Sequence, residues 1–285
     1  MIIAVASGKG GTGKTTVAVN LAAVMPGPAT YIDCDVEEPN GHIFLKPDIE
    51  RSHTVAIPTP SVDAEKCTGC GRCAEVCRYN ALACVRGKVL VFPELCHGCG
   101  GCALACPVKA ITETDRPVGV VESGRSGAIG FVQGRLNVGM AMSPPVIRAA
   151  KTEAPPDGTV IIDAPPGTSC PVIAALNGSD YVILVTEPTP FGLHDLKLAV
   201  ETVRELGVPF GIVINRSDVG DARVTQYCHR EKIPILLEIP DDRRVAEAYS
   251  RGEMAVDAVP EWREQFGRLA QLIADVAAEP VEESG

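Results

Sequence analysis

Apolar residues along the chain gather into short runs bounded by turn-forming or polar residues. Ile2–Ser7, Thr30–Asp33, Thr159–Asp163, Tyr181–Thr186, Phe210–Asn215 and Ile235–Ile239 read as buried strands. Between several of them the apolar positions return with the helical period, as in Gly192–Leu206 and Asp241–Arg251. This alternation predicts an α/β fold, a mostly parallel sheet with helices on both faces. Residues 61–115 break the pattern. They are turn-rich and crowded with cysteine, and they begin at the proline-marked stretch "IPTPSVD", which reads as a linker. The expected organisation is a discontinuous α/β domain, 1–60 and 116–285, carrying a small α+β insert at 61–115.

Composition narrows the choices. The 285 residues suit one large domain with a small insert, and the formal charge of −10 argues against nucleic acid or an anionic membrane as the main partner. No run of about 18 apolar residues is present to predict a membrane span. The apolar start is interrupted by a glycine-lysine loop after Ser7, so it does not read as a signal peptide, and a cytoplasmic location is expected. The segment from Glu261 onward reads as an amphipathic helix that ends acidic, unlike a basic membrane-surface helix. Of the twelve cysteines, eight fall into two matching runs, which points to metal ligation rather than a disulfide scaffold.

The first candidate site is Gly8-Lys9-Gly10-Gly11-Thr12-Gly13-Lys14-Thr15, followed by Thr16. It satisfies G-x-x-x-x-G-K-[ST] between a predicted strand and a predicted helix, the context a phosphate loop requires. Glycines let backbone N–H groups converge on phosphate oxygens at the positive end of the helix. In such a loop Lys14 reaches the β- and γ-phosphates and the Thr15 hydroxyl coordinates Mg²⁺. Lys9 is surplus to that motif.

"GKGGTGKT" resembles the deviant phosphate loop of the MinD/Mrp/ParA ATPases and the nitrogenase iron protein. The resemblance implies that Lys9 crosses a dimer interface to the nucleotide of the opposite subunit, as an arginine finger would. "YIDCDVEEPN" is similar to the family's first switch, which makes Asp35 the carboxylate that activates the attacking water and Asp33 the one nearer the metal. "VIIDAPPGTSCP" is similar to the second switch. There Asp163 would hold Mg²⁺ through water, and the Gly167 N–H would sense the γ-phosphate. The resemblance also implies that Asn215, in "VINRSDVG", reads adenine, with Pro240 and Asp241 packing on the base. The same stretch resembles the Asn-Lys-x-Asp of GTPases, so guanine stays a competitor, with ATP favoured. A homodimer, or a heterodimer with a related ATPase, is implied.

"CTGCGRCAEVC" and "CHGCGGCALACP" both spell C-x₂-C-x₂-C-x₃-C and resemble a bacterial two-cluster ferredoxin, in which the fourth cysteine of each run serves the other cluster. That resemblance implies one [4Fe–4S] cluster on Cys67, Cys70, Cys73 and Cys106. It implies a second on Cys96, Cys99, Cys102 and Cys77. Arg78 stands where the family has proline. Paired C-x₂-C also binds zinc, but the duplicated triplets favour iron and sulfur. His97 reads as a polar neighbour of the second cluster. Cys34, Cys84 and Cys228 read as small hydrophobes. Cys170, seven residues after Asp163, matches a cluster-ligating cysteine of the nitrogenase iron protein. A metal bridging two Cys170 residues competes with a packing role.

Together these features imply an ATPase whose nucleotide-driven dimer gates electron transfer through two clusters to an unknown redox partner. An iron–sulfur or metal carrier serving apo-proteins, and a regulatory or positioning ATPase with structural clusters, are the alternatives.

Overall fold

A computed structural model describes residues 1–278. Its strands are β1 (Ile2–Ala6), β2 (Ala29–Asp33), β3 (Asp48–Val62), β4 (Leu82–Val85), β5 (Lys88–Val91), β6 (Ile111–Ser126), β7 (Ile129–Leu136), β8 (Thr159–Asp163), β9 (Tyr181–Thr186), β10 (Phe210–Asn215) and β11 (Ile235–Ile239). Nine of them form one sheet in the order β11-β10-β9-β1-β8-β2-β7-β6-β3, and β4 pairs with β5 apart from it. From β11 to β7 every pairing is parallel; β6 runs against both β7 and β3. The expected mostly parallel sheet is therefore present, and the six anticipated strands lie within a residue of their expected bounds.

Both faces of the parallel part are covered, which is why its strands are continuous apolar runs. Successive side chains of β1 alternate between two core layers, Ala4 and Ala6 in one, Ile3 and Val5 in the other. The first layer takes helices Pro144–Thr152, Cys170–Leu176, Pro190–Leu206 and Arg223–Glu231. The second takes Lys14–Val24, Gly41–Leu45 and Pro260–Ala278. Cys34 and Cys228 are buried within the first layer, and burial pushes both thiols up, Cys228 to about 11.

The antiparallel edge was not anticipated. β3 and β6 form a long ribbon registered from Asp48↔Arg125 to Val62↔Ile111, and it crosses residues 60/61 and 115/116 without a break. "IPTPSVD" is thus largely strand rather than linker. Pro58 and Pro60 fit because β3 is the edge strand, where a missing N–H costs no ladder bond on the open side. The cysteine runs hang from the far end of this ribbon. The amphipathic segment forms the helix Pro260–Ala278, and its acidic end lies outside the described residues. Among the described residues no helix is long and apolar enough to cross a membrane.

Candidate functional site

Five strand ends deliver the residues named from the sequence to one edge of the sheet. The phosphate loop follows β1, Asp33 ends β2 and Asp35 follows it, Asp163 ends β8, Asn215 ends β10, and Pro240–Asp241 follow β11. Ligands of open α/β sheets bind at this carboxyl edge. Gly11 and Gly13 have φ of 79° and 89°, and a side chain on Gly13 would collide with Asn215 Nδ2, so the turn demands glycine there.

Beneath the loop lies a buried electrostatic cluster. Lys14 Nζ is 2.6 Å from Asp163 Oδ1 and 3.8 Å from Asp35 Oδ2. The Tyr31 hydroxyl donates to Asp163 Oδ2 at 2.9 Å, so both oxygens of this fully buried carboxylate are engaged. Asp33 accepts the backbone N–H groups of Asp35, Asn40 and Gly41 at 3.1, 3.1 and 2.9 Å, which folds the first-switch segment around it. Burial works to lower the Lys14 ammonium, but the charge and hydrogen bond of Asp163 outweigh it and the net shift is upward. Burial, and then the neighbouring Asp163 charge, push the Asp33 carboxyl up. Sequence reasoning missed Tyr31, because only the fold brings its strand against Asp163.

Lys9 takes another direction. Its Nζ is 3.5 Å from Glu187, which also receives Arg216 at 3.3 Å, and Arg216 in turn meets Asp241 at 3.3 Å. Glu187 was not anticipated either. Gly167 donates its N–H to the Ser7 carbonyl at 2.9 Å. Thr15 is buried at the start of the helix, and the Thr12 hydroxyl is buried without a hydrogen-bond partner, as a side chain facing a ligand site would be. Asn215 Nδ2 donates to the Thr12 carbonyl at 2.9 Å. Beside it opens a cavity of about 320 Å³ lined by Gly11, Gly13, Thr16, Asn215, Pro240, Asp241, Tyr249 and Trp262. Cys170 is exposed at the first turn of its helix.

Burial raises the Asp35 carboxyl to about 6, the nearby Lys14 only partly opposing it. A carboxyl raised on folding contributes stability that is complete below the unfolded value of about 4 and lost as pH rises through about 6. Asp35→Asn removes this penalty. Without nucleotide it should unfold with the wild type at pH 4 and be about 1–2 kcal/mol more stable at pH 8, by urea denaturation at both pH values. Equal midpoints at pH 8 would contradict the assignment.

The cysteine runs fold as two copies, residue for residue. Gly69 and Gly71 match Gly98 and Gly100, all with positive φ, and Asn80 matches Lys109, both left-handed. Cys77 Sγ accepts the N–H of Ala81 at 3.3 Å and Cys106 Sγ that of Ala110 at 3.2 Å. One apolar cavity is lined by Cys67, Cys70, Cys73 and Cys106, and another by Cys77, Cys96, Cys99 and Cys102. His97 stacks on Tyr79 at the second, with centroids 3.6 Å apart. Among the described residues no group of three or more His, Cys, Asp or Glu is drawn together as a single ion requires. Each quartet instead surrounds a space.

Known proteins bear on these two sites. The chain is 32% identical over 258 residues to an uncharacterized protein of Methanocaldococcus jannaschii, covering 89% of this chain and 90% of that one. It is 29% identical over 139 residues to the iron–sulfur cluster carrier protein of Aquifex aeolicus, covering 43% and 38%. Its fold is similar to that of the septum site-determining protein MinD complexed with Mg-ADP from Pyrococcus horikoshii, with TM-score 0.59, 20% identity, and coverage of 98% and 99%. The CobQ/CobB/MinD/ParA nucleotide binding domain matches residues 3–256, and the chain belongs to that family.

Proposed function

We propose that this chain is a Mg²⁺-dependent ATPase that works as a nucleotide-assembled dimer and passes single electrons through two [4Fe–4S] clusters held at 61–115. The observation that carries the redox half is the crosswise quartets: each cavity takes three cysteines from one run and the fourth from the other. Eight thiols around two separate apolar spaces suit multi-iron clusters, whose ligands stand further apart than the four around one zinc. Bound there, such clusters supply one-electron carriers at low potential.

In the ATPase half, Lys14 would turn from Asp163 to the phosphates, and Asp163 with Thr15 would then hold Mg²⁺, which would neutralise phosphate charge. Tyr31 keeps the Asp163 carboxylate oriented. Asp35, raised by burial to about 6 and so still mainly a carboxylate at neutral pH, stands beside Lys14 to orient and deprotonate the attacking water. Family membership supports nucleotide chemistry. Adenine is favoured over guanine because one N–H of the Asn215 amide donates to the Thr12 carbonyl, which orients the amide so that its oxygen can accept from the adenine amino group, where guanine offers only the acceptor O6. Asp218, which a GTPase would use on guanine, accepts the Asp241 N–H at 2.7 Å instead.

Anaerobic purification with iron, sulfide and EPR analysis tests this reading. About eight irons per chain, with signals that shift on adding ATP, are expected. Zinc, or no iron, would overturn it. Cys77→Ala should disturb the cluster of Cys96, Cys99 and Cys102 and spare the one nearer in sequence; the opposite EPR pattern would refute the crosswise assignment. A carrier role has one observation in its favour, the Aquifex aeolicus relative. Transfer of iron and sulfide to an apo-protein, without ATP-dependent reduction of an acceptor, would select it.

A further inference from the structure

The two copies of the cysteine run differ in their surroundings. Between Cys67 and Phe92 Arg72, Arg78, Arg86 and Lys88 oppose only Glu75, whereas between Pro93 and Asp115 Glu94, Glu113 and Asp115 oppose only Lys109. A chain with net charge −10 therefore carries a local basic edge.

The fold puts that edge at one cysteine. Gly69 lies against Gly87, too close for any side chain, and Cys84 Sγ donates to the Gly69 carbonyl at 3.4 Å. The turn between β4 and β5 is thus clamped onto the loop that bears Cys70, and its Arg86 and Lys88 flank Gly87. Arg72 opens the helix just after Gly71. All three cations and Cys70 are exposed, as are Val85 at 52% and Leu90 at 46% on the same hairpin. Among the described residues the ion pair within 61–115 is Lys66–Asp63, so none of these three cations is neutralised by a carboxylate partner.

In the second copy the same places are filled differently. Gly101 replaces Arg72, Pro58 of β3 lies against Gly98 where the hairpin turn lies against Gly69, and Glu113 Oε1 approaches Gly100 where Cys84 approaches Gly71. Cys99 is exposed too, but its edge is acidic and abuts the ribbon.

We propose that the Arg72–Arg86–Lys88 edge around Cys70 is the docking surface for an acidic, low-potential electron-transfer protein, which reduces the insert there by one electron. This rests on the reading that the insert holds clusters. One electron leaves the partner's reduced centre and enters the cluster of Cys67, Cys70, Cys73 and Cys106; no bond is made or broken. The three cations steer an acidic protein to the first copy, and Glu113 and Glu94 turn it from the second. The apolar residues give the small contact typical of transient redox encounters. Nucleic acid and anionic membranes also seek basic surfaces, but they meet the repulsion of the whole acidic chain, while a small partner needs only the patch.

The test uses the full chain with its iron measured, and stopped-flow oxidation of a reduced, acidic bacterial two-cluster ferredoxin as the probe. Arg72→Glu/Arg86→Glu/Lys88→Glu should slow the bimolecular step about tenfold or more at low salt, with the gap closing at high salt. Arg223→Glu/Arg230→Glu/Arg243→Glu, an equal charge change toward the opposite edge of the sheet, should stay within about threefold of wild type. Arg86→Gln/Lys88→Gln, gentler on folding, should give an intermediate loss. Photoreduction by a neutral deazaflavin should be unchanged in all variants. A patch variant no slower than the distal control would overturn the docking assignment, as would patch-dependent binding of a DNA duplex or of phosphatidylserine vesicles in place of ferredoxin. A wild-type chain without iron, or one that deazaflavin cannot reduce, would instead sink the cluster reading.

Discussion

Lys14→Ala is expected to abolish nucleotide binding and to cost the free protein about 3–5 kcal/mol of stability. The second effect is unusual for a surface loop and follows from where the ammonium sits. It is 2.6 Å from a fully buried Asp163, with Asp35 at 3.8 Å and buried Asp33 close behind. Removing the cation leaves a carboxylate facing other carboxylates in a site closed to water. That is the expensive half of a buried ion pair, although the intact pair itself contributes little. Lys14→Ala/Asp163→Asn should therefore regain most of the stability while still failing to bind ATP. Urea denaturation and ATP titration on both variants measure the two effects separately. If the double variant is as unstable as the single one, the buried carboxylate is not the cause.

Lys9→Ala should do the reverse. Its pair with Glu187 spans 3.5 Å with Lys9 a third exposed, and such pairs are worth about 0–1 kcal/mol, so stability should hold. ATP affinity of the single chain should hold as well, because Lys14 and the loop backbone remain. Turnover should fall about 10³-fold or more, the scale on which a cation supplied in trans stabilises phosphoryl transfer. Nucleotide-dependent dimers should disappear in sedimentation experiments. A Lys9→Ala chain that still dimerises with ATP would show that the lysine serves its own site, and the contact with Glu187 would then be its working position.

Six of the seven parallel-paired strands were legible in the sequence because burial on both faces leaves a strand few polar positions. Tyr181–Thr186 and Phe210–Asn215 could be delimited to the residue for that reason. The phosphate loop and the cysteine runs were legible because their chemistry fixes spacing along the chain. β3, β6 and β7 escaped notice. The first half of β3 is exposed and carries Asp48, Glu50, Arg51 and His53, and its second half carries prolines that ordinarily end structure. Tyr31 and Glu187 escaped for a different reason. Their roles rest on contacts across 132 positions of chain for Tyr31–Asp163, and from β9 back to the phosphate loop for Glu187, and no local pattern reports such pairings.

The prolines of β3 have a consequence for assembly. An edge strand with bare N–H and C=O groups is a template on which another strand can crystallise, and chains with such edges aggregate. Here Pro58 and Pro60 remove two donors from that edge, and the charged run at Asp48–Arg51 wets its other half. Sheets of two molecules cannot readily fuse along β3 into a continuous ribbon. The ribbon can therefore carry the cysteine runs at its end without offering a second molecule a strand to pair with.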